Sequence, residues 1–365
     1  MNTKTNFSTI DFTILTYMLQ SGITFFVLPR LMAENFGYNG WLAIPVISIV
    51  LLGQIILLGH VCKKMKRTSP LDRIDKVMPK VLRYPIYIFL AGTWAVLGCS
   101  VGANYFQIIQ MMSFPNTPQY IFKGILAVIA FFILVSGFEG FVKGTTVFFF
   151  LTIWTLFSSF VVLKDFQFDQ LTPFIFAGDT NFINGSFEVL KAFLGFELFI
   201  IFSSYIQKDI NITKAITLGH LFTTVVYTFV TFIAFGFFSF QQLLDIEYPV
   251  IQMLDYVKVP FLERIDNLIF SFFLMKVVVT VTAYYWAAKE VLQQIFININ
   301  ESLLIFIIVT GNFLLGFMME TAREIETVVN IFSKLAFGIS IVLPIFLLLI
   351  MKRSKNQTNE VKDHD

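Results

Sequence analysis

Ten apolar runs follow one another along this chain. They cover residues 10–28, 40–58, 84–112, 121–136, 145–163, 187–205, 216–238, 265–287, 303–319 and 328–351. Each approaches or exceeds the roughly 20 residues that a helix needs to cross a bilayer. Helices are the only spanning form they suit, because the runs are too long and too evenly apolar for barrel strands. No single soluble core could hide the apolar residues that make up 56% of the 365, with 46 phenylalanines among them. Only 14% are charged, against about a quarter in soluble domains. The expected class is therefore an all-α integral membrane protein of ten transmembrane helices. One ten-span domain fills residues 1–351, and a polar cytoplasmic tail expected to be unstructured fills 352–365. Cys62 lies in a basic loop and Cys99 in an apolar run, so no disulfide framework is expected. The opening "MNTKTNFSTIDF" lacks a cleavage-site pattern, so the first run reads as a retained span.

Lys and Arg set the orientation. Lys63, Lys64, Lys66, Arg67, Arg73, Lys76, Lys80 and Arg83 crowd the loop after span two. Lys4, Lys143, Lys208, Lys214, Lys289, Lys352, Arg353, Lys355 and Lys362 fall on the same side if there are ten spans, for 17 basic residues in all. The opposite side holds six: Arg30, Lys123, Lys164, Lys258, Arg264 and Arg323. Both termini are then cytoplasmic, and an odd number of spans would put the basic tail outside. Two outer loops exceed what a plain connection needs. The one after span seven carries Leu243, Leu244, Ile251, Leu254 and Val257 at helical spacing, which predicts one short amphipathic helix across the outer mouth, either a gate or a plain interfacial element.

Two spans carry interruptions. Span one reads "LTYMLQSGITFFVLPR", broken by Gln20, Ser21, Gly22 and Thr24. Span six reads "FEVLKAFLGFELFIIFSSY", broken at Gly195 and Glu197. If ten spans divide into halves of five (about 10–163 and 187–351), each interruption falls in the first span of its half. That pattern points to a 5+5 inverted repeat with a binding site at discontinuous helices 1 and 6 near the midplane. Unwound backbone is costly in lipid, so its freed N–H and C=O groups must meet a ligand, water or protein. The start of a half-helix would suit a carboxylate, and freed carbonyls an ammonium or a cation. The plainer alternative is that Gly22 and Gly195 only let helices pack closely.

Three stretches carry a family likeness across essentially the whole chain. "SGITFFVLPRLMAENFGYNGW" resembles the opening of the spore germination permeases, the B subunits of germinant receptors. "AFLGFELFIIFSSYI" is similar to their span six, whose Gly-Phe-Glu is shared with the wider amino acid/polyamine/organocation superfamily. "YPVIQMLDYVKVPFLERIDNLIFSFF" is similar to their outer-loop signature. The chain departs from the pattern at Thr24-Phe25-Phe26, where another glycine or a valine is usual, and at Lys276, where an aromatic or apolar residue is expected. The resemblance implies a LeuT-like fold and binding of a small germinant, an amino acid or a nucleoside. It also implies a complex with an A-type membrane subunit and a C-type lipoprotein subunit in the spore inner membrane.

Ser21, Gly22, Thr24, Gly195 and Phe196 at the breaks are the expected ligand contacts, with Asn104 and Tyr105 of span three, whose alternative role is interhelical hydrogen bonding. Glu197 and Lys276 are the expected gating or coupling pair, because charge this deep in a span faces a cavity or a partner. Lys276 would either neutralise Glu197 or take the place of a coupling cation beside span one. Alternatively, Glu197 caps freed backbone and Lys276 snorkels or lines a wet interface. Lys191, placed near the outer end of span six, and Lys334, placed near Glu324 and Glu326, read as solvated or paired. Tyr284 and Tyr285 read as interfacial belt aromatics, and His60 and His220 as residues near cytoplasmic span ends without partners at metal-ligand spacing. No phosphate loop, nucleophilic triad, paired-acid arrangement or metal spacing is present, so neither enzyme activity, nor a cofactor or metal, nor nucleic-acid binding is expected. Three functions stay open: a receptor subunit that signals by conformational change, a proton-coupled amino-acid transporter, and a scaffold subunit with a relic pocket.

Overall fold

The computed structural model describes residues 7–65, 68–173, 176–178, 180–207, 209–256 and 265–362. Lys4, Lys66, Arg67, Lys208, Val257, Lys258 and Arg264, used in the sequence reading, lie outside them. Everything regular among the described residues is helical. A capping box of Ser8 and Asp11 opens α1 (Thr9–Gln20), satisfying two of the N–H groups that a helix start leaves free. Then come α2 (Thr24–Phe36), α3 (Ala43–Met65), α4 (Pro70–Val77), α5 (Lys80–Met112), α6 (Gln119–Val135), α7 (Gly137–Thr152) and the single turn α8 (Ser158–Val161). The second part holds α9 (Phe182–Ala192), α10 (Phe199–Phe202), α11 (Ile212–Phe237), α12 (Phe240–Asp245), α13 (Pro249–Asp255), α14 (Ile265–Gln293), α15 (Glu301–Leu315) and α16 (Ala322–Lys362).

Among the described residues, seven helical stretches are long and apolar enough to cross a membrane alone, and α1 with α2, bent by 59° at their break, make an eighth. The fourth expected span is the shorter apolar helix α6. The sixth is split into α9 and α10, too short separately to span. The long helices differ in what they face. In α14, 72% of the apolar window is buried, against 22% for residues 137–165. Thus α14 is the central helix, packed along α5, while α1 packs along α11, and α11 along α3. Ile49, Val50 and Ile56 of α3, Phe132 of α6 and Val342 and Leu349 of α16 are exposed. These surfaces suit acyl chains, so the apolar excess of the composition is divided between the core and a lipid-facing skin.

Three local expectations need correction. The basic loop contains the helix α4, whose Leu71 and Ile74 are buried and whose Asp75 takes Arg83 at 3.2 Å and the Tyr87 hydroxyl at 2.7 Å. The loop after span seven forms two helices, α12 and α13, because Ser239 caps the first and Pro249 starts the second. The tail does not unravel at residue 352: α16 continues to Lys362. Its "KRSKNQTNEVK" has no Gly or Pro, and extending an existing helix needs no new nucleus.

Candidate functional site

The two helix breaks lie against each other. At the first, α1 ends at Gln20, the Ser21 N–H still reaches Tyr17 O at 2.8 Å, and Gly22 N–H turns back to Gln20 O at 2.8 Å. The chain resumes at Thr24 with no side-chain cap on α2. At the second, α9 ends at Ala192, and a short 3₁₀ turn over Phe196–Leu198 leads into α10. Gly195 joins the two with φ +114°, a left-handed conformation, and a Cβ there would stand 2.9 Å from Leu19 Cβ. Gly195 therefore serves both the turn and the close approach of the first break. Gly22 differs: a Cβ there would meet nothing within 4 Å, so packing does not require it.

Both breaks open onto one small cavity of about 60 Å³. The first break contributes Gln20, Gly22, Ile23 and Thr24, the second Lys191, Ala192 and Leu194, and the surrounding helices Asn104, Thr280, Tyr284 and Ser333 among others. Thr24, Asn104 and Lys191 also line a larger vestibule of about 250 Å³ that leads away from the basic end. Together the two spaces reach the lower end of the range for small-molecule sites, roughly 300–1,000 Å³. The vestibule carries Arg30 paired with Glu34 at 2.6 Å, as well as Glu247, Tyr248 and Glu326. Burial first, then the Glu247 carboxylate, push the Tyr248 phenol well above its ordinary pKa, which keeps it a neutral donor at the rim. A third cavity of about 570 Å³ lies between the C-terminal end of α3 and the chain after α10, lined by Cys62, Lys63 and residues of 203–213.

The freed carbonyls are not left bare for a ligand, as unwinding alone would suggest. The Gln20 carboxamide donates to Phe193 O at 2.9 Å, across from one break to the other. The Tyr227 hydroxyl of α11 donates to Gln20 O at 2.5 Å and stands 3.4 Å from Ala192 O. Glu197 caps the second break: its Oε2 accepts the Gly195 N–H at 2.7 Å and its Oε1 the Tyr284 hydroxyl at 3.0 Å. A carboxylate at the N-terminal end of a half-helix is favourable, so this end of span six already holds its anion. The open helix start facing the cavity is that of α2.

Of the expected contacts, Gly22, Thr24 and Asn104 line the cavity. Ser21 is buried beside the break, and Phe196 and Glu197 are buried behind it, outside the lining. Tyr105 points elsewhere, its hydroxyl bonded to Phe270 O. Lys276 is not an ion-pair partner of Glu197. Its ammonium donates to Tyr17 Oη at 3.2 Å and stands 5.1 Å and 5.2 Å from the ring centroids of Tyr17 and Phe273. It neither snorkels nor lines a wet interface; it is buried in a cation–π setting.

Lys191 is paired, as expected, with Glu188, and stands 3.0 Å from Asn330 Oδ1, but it lies in the last turn of α9 at the break and not near the outer end of the span. Other readings are corrected by position. Lys334 has its ammonium over the Phe187 ring, while Glu324 accepts the N–H groups of Glu320 and Thr321. Tyr284 and Tyr285 are buried in the core, 2% and 5% exposed, not in an interfacial belt. His220 is fully buried between Gln20 and Ser48. The sequence does hold one signal for such positions: "VVVTVTAYYWAA" in span eight has small and hydroxylated residues between its large ones, as a helix packed on all sides requires.

Comparison with known proteins gives the family and the fold. The chain matches the profile of a family described as spore germination protein, of the spore permease type, over residues 6–325. It is 21% identical over 344 residues to spore germination protein GerQB of Bacillus cereus, covering 93% of this chain and 94% of that one. It is 22% identical over 357 residues to spore germination protein YndE of Bacillus subtilis (strain 168), covering 94% of each. Among solved structures it resembles MhsT in complex with L-phenylalanine, with TM-score 0.63, 12% identity and coverage of 94% of this chain and 97% of that one. It also resembles the manganese transporter of Eremococcus coleocola, with TM-score 0.60, 14% identity and coverage of 92% and 78%. These likenesses show the fold, that of the LeuT-type transporters.

Proposed function

Because the chain belongs to the spore germination protein family, we propose that it is the membrane B-type subunit of a germinant receptor, which binds a small solute between its two helix breaks and signals by changing shape. The observation that carries this is the shared cavity: both interrupted spans line it, and it continues into a vestibule on the side away from the basic loops. In this reading ten spans form two inverted halves, with both termini cytoplasmic in the spore inner membrane. The open start of α2 and the Lys191 ammonium suit a carboxylate, and the vestibule glutamates suit an ammonium group. An amino acid meets both demands. A nucleoside would use Asn104, Thr24 and the aromatic walls. The Tyr284 ring lines the cavity while its hydroxyl holds Glu197, so a ligand that moves Tyr284 alters the cap of the inner half of span six. A ligand shifts the protein only by its preference for one arrangement over the other.

A thermal-shift screen of amino acids and nucleosides on the detergent-solubilised protein tests this. Some member of either class raises the Tm saturably, by up to about 2.7 kcal/mol of stabilisation at a hundredfold excess over Kd. Gly22→Leu, which fills the cavity, abolishes the shift while leaving the ligand-free Tm within a few degrees. No shift with either class, or an undiminished shift in Gly22→Leu, overturns the reading. Association with A-type and C-type subunits is tested by co-purification from spore membranes.

The alternative is a proton-coupled amino-acid transporter. The cavity at the basic end, opposite the vestibule, favours it, because alternating access needs space on both sides. Substrate counterflow in liposomes holding the purified chain alone would support that reading over the receptor.

A further inference from the structure

His220 stands at the centre of a buried polar chain that the binding site does not use directly. Its Nε2 lies 2.9 Å from Ser48 Oγ and 3.2 Å from Ser48 O. Its Nδ1 lies 3.3 Å from Gln20 Oε1. Ser48 Oγ is also 2.6 Å from Thr224 Oγ1, which is 2.9 Å from the His220 carbonyl. Assigning the protons decides the state of the ring. The carbonyl of His220 only accepts, so the Thr224 hydroxyl donates to it. Ser48 must then donate to Thr224, and its oxygen can only accept from Nε2. The Gln20 amide donates to Phe193 O, so its Oε1 only accepts from Nδ1. Each ring nitrogen therefore faces acceptors alone: one proton, on Nε2, serves Ser48, and a second, on Nδ1, would serve Gln20.

A neutral ring must be accommodated differently. The neutral ring keeps its proton on Nε2, where Ser48 Oγ and Ser48 O both accept it and no hydroxyl has to turn. The bare Nδ1 lone pair then confronts Gln20 Oε1. The two protonation states thus differ in how firmly Gln20 is held.

We propose that His220 is a proton-binding site wired to both helix breaks. The proton enters from water in the central cavity, which Gln20 lines, and binds at Nδ1 against Gln20 Oε1, while Nε2 keeps its own. The charge rests on the ring, beside Gln20 at the C-terminal, negative end of α1 and against the Phe193 ring, whose centroid is 4.8 Å away. The groups facing the imidazole are Gln20 from α1, Ser48 from α3 and Phe193 from the second break. No Asp, Glu, Lys or Arg among the described residues shares a hydrogen bond or ion pair with it. The nearest titratable side chains in the network are Tyr227 on its own helix, which shares Gln20 O, and Tyr17, three residues before Gln20. Loading the proton tightens the link from Gln20 to Phe193 and so couples the two breaks. This holds whether the chain acts as receptor or transporter.

The chain has three histidines, which makes the test direct. Full-length protein with ¹⁵N-labelled histidine is placed in lipid nanodiscs, and the ring nitrogens are followed by NMR from pH 8 to pH 5. His220 is assigned by its loss in His220→Gln or, should that variant not fold, by elimination with His60→Gln and His364→Gln. The expected result is a change from one ring N–H to two on acidification, shifted by at least one pH unit in Gln20→Leu and in Ser48→Ala. Exchange of the amides of residues 21–24, corrected for its intrinsic pH dependence, slows over the same range in the wild type. A ring that keeps one N–H throughout, or a transition that neither variant shifts, overturns the proposal.

Discussion

The two glycines that look alike in sequence do different things. Gly195 holds a left-handed turn against Leu19, whereas Gly22 faces open space. Gly195→Ala should therefore cost more than about 2 kcal/mol, as strained left-handed positions do, and Gly22→Ala less than about 1 kcal/mol. Thermal unfolding of the two variants in the same detergent checks the order. The two deep charges are separate as well. Glu197 bonds Tyr284, and Lys276 lies eight residues before Tyr284 on α14, about 12 Å along the helix. Glu197→Gln and Lys276→Met should combine additively within about 0.5 kcal/mol, whereas Glu197→Gln with Tyr284→Phe should show coupling of about 1 kcal/mol. A double-mutant cycle on unfolding free energy decides both. Glu197 was legible as a functional position, because a carboxylate inside a span needs partners. Its partners were not, because Tyr284 is 87 residues away and nothing in a tyrosine's neighbours says whether it faces lipid or core.

Among the elements, the broken pair α1–α2 and the broken pair α9–α10 are held by α11. Tyr227 covers carbonyls from both breaks, and Gln20 crosses between them. Tyr227→Phe keeps the ring and strands those carbonyls, so it should cost about 1–3 kcal/mol and speed hydrogen exchange at residues 20–24 and 193–197 together. Faster exchange at one break alone would contradict a shared cap. The interruption of spans one and six could be read from a Gly beside polar residues in an apolar run. That the carbonyls so released would be closed by α11 could not, since "TVVYTFVTF" is an ordinary apolar helix until its neighbours are known. Proline and serine decided the loop after span seven in a similar way. Apolar spacing suggested one helix, and the cap at Ser239 and the start at Pro249 made two.

For the whole molecule, the vestibule and the opposite cavity make a testable pair. Thr24→Cys should react with a membrane-impermeant thiol reagent added from outside, and Gln207→Cys only from the cytoplasmic side. Cys99 is buried, whereas Cys62 lines the cavity at the basic end, so both probes are made in a Cys62→Ser background. Labelling of Thr24→Cys only from the cytoplasmic side and of Gln207→Cys from outside would overturn the orientation drawn from the Lys and Arg asymmetry. The amino-acid sequence alone determined that the chain is helical, that it belongs in lipid, and that spans one and six carry a glycine among polar residues where a break can form. Those properties follow from composition, run length and backbone chemistry, which act locally and need no partner. Only the tertiary structure decided that Lys191 reaches the cavity while Tyr105 does not, that Lys276 meets aromatic rings instead of Glu197, and that His220 sits between two helices and both breaks. Each depends on which face of a helix turns inward, and in a chain apolar on nearly every face the hydrophobic pattern carries little of that information. It is set by how small, hydroxylated and aromatic side chains from distant segments pack against one another.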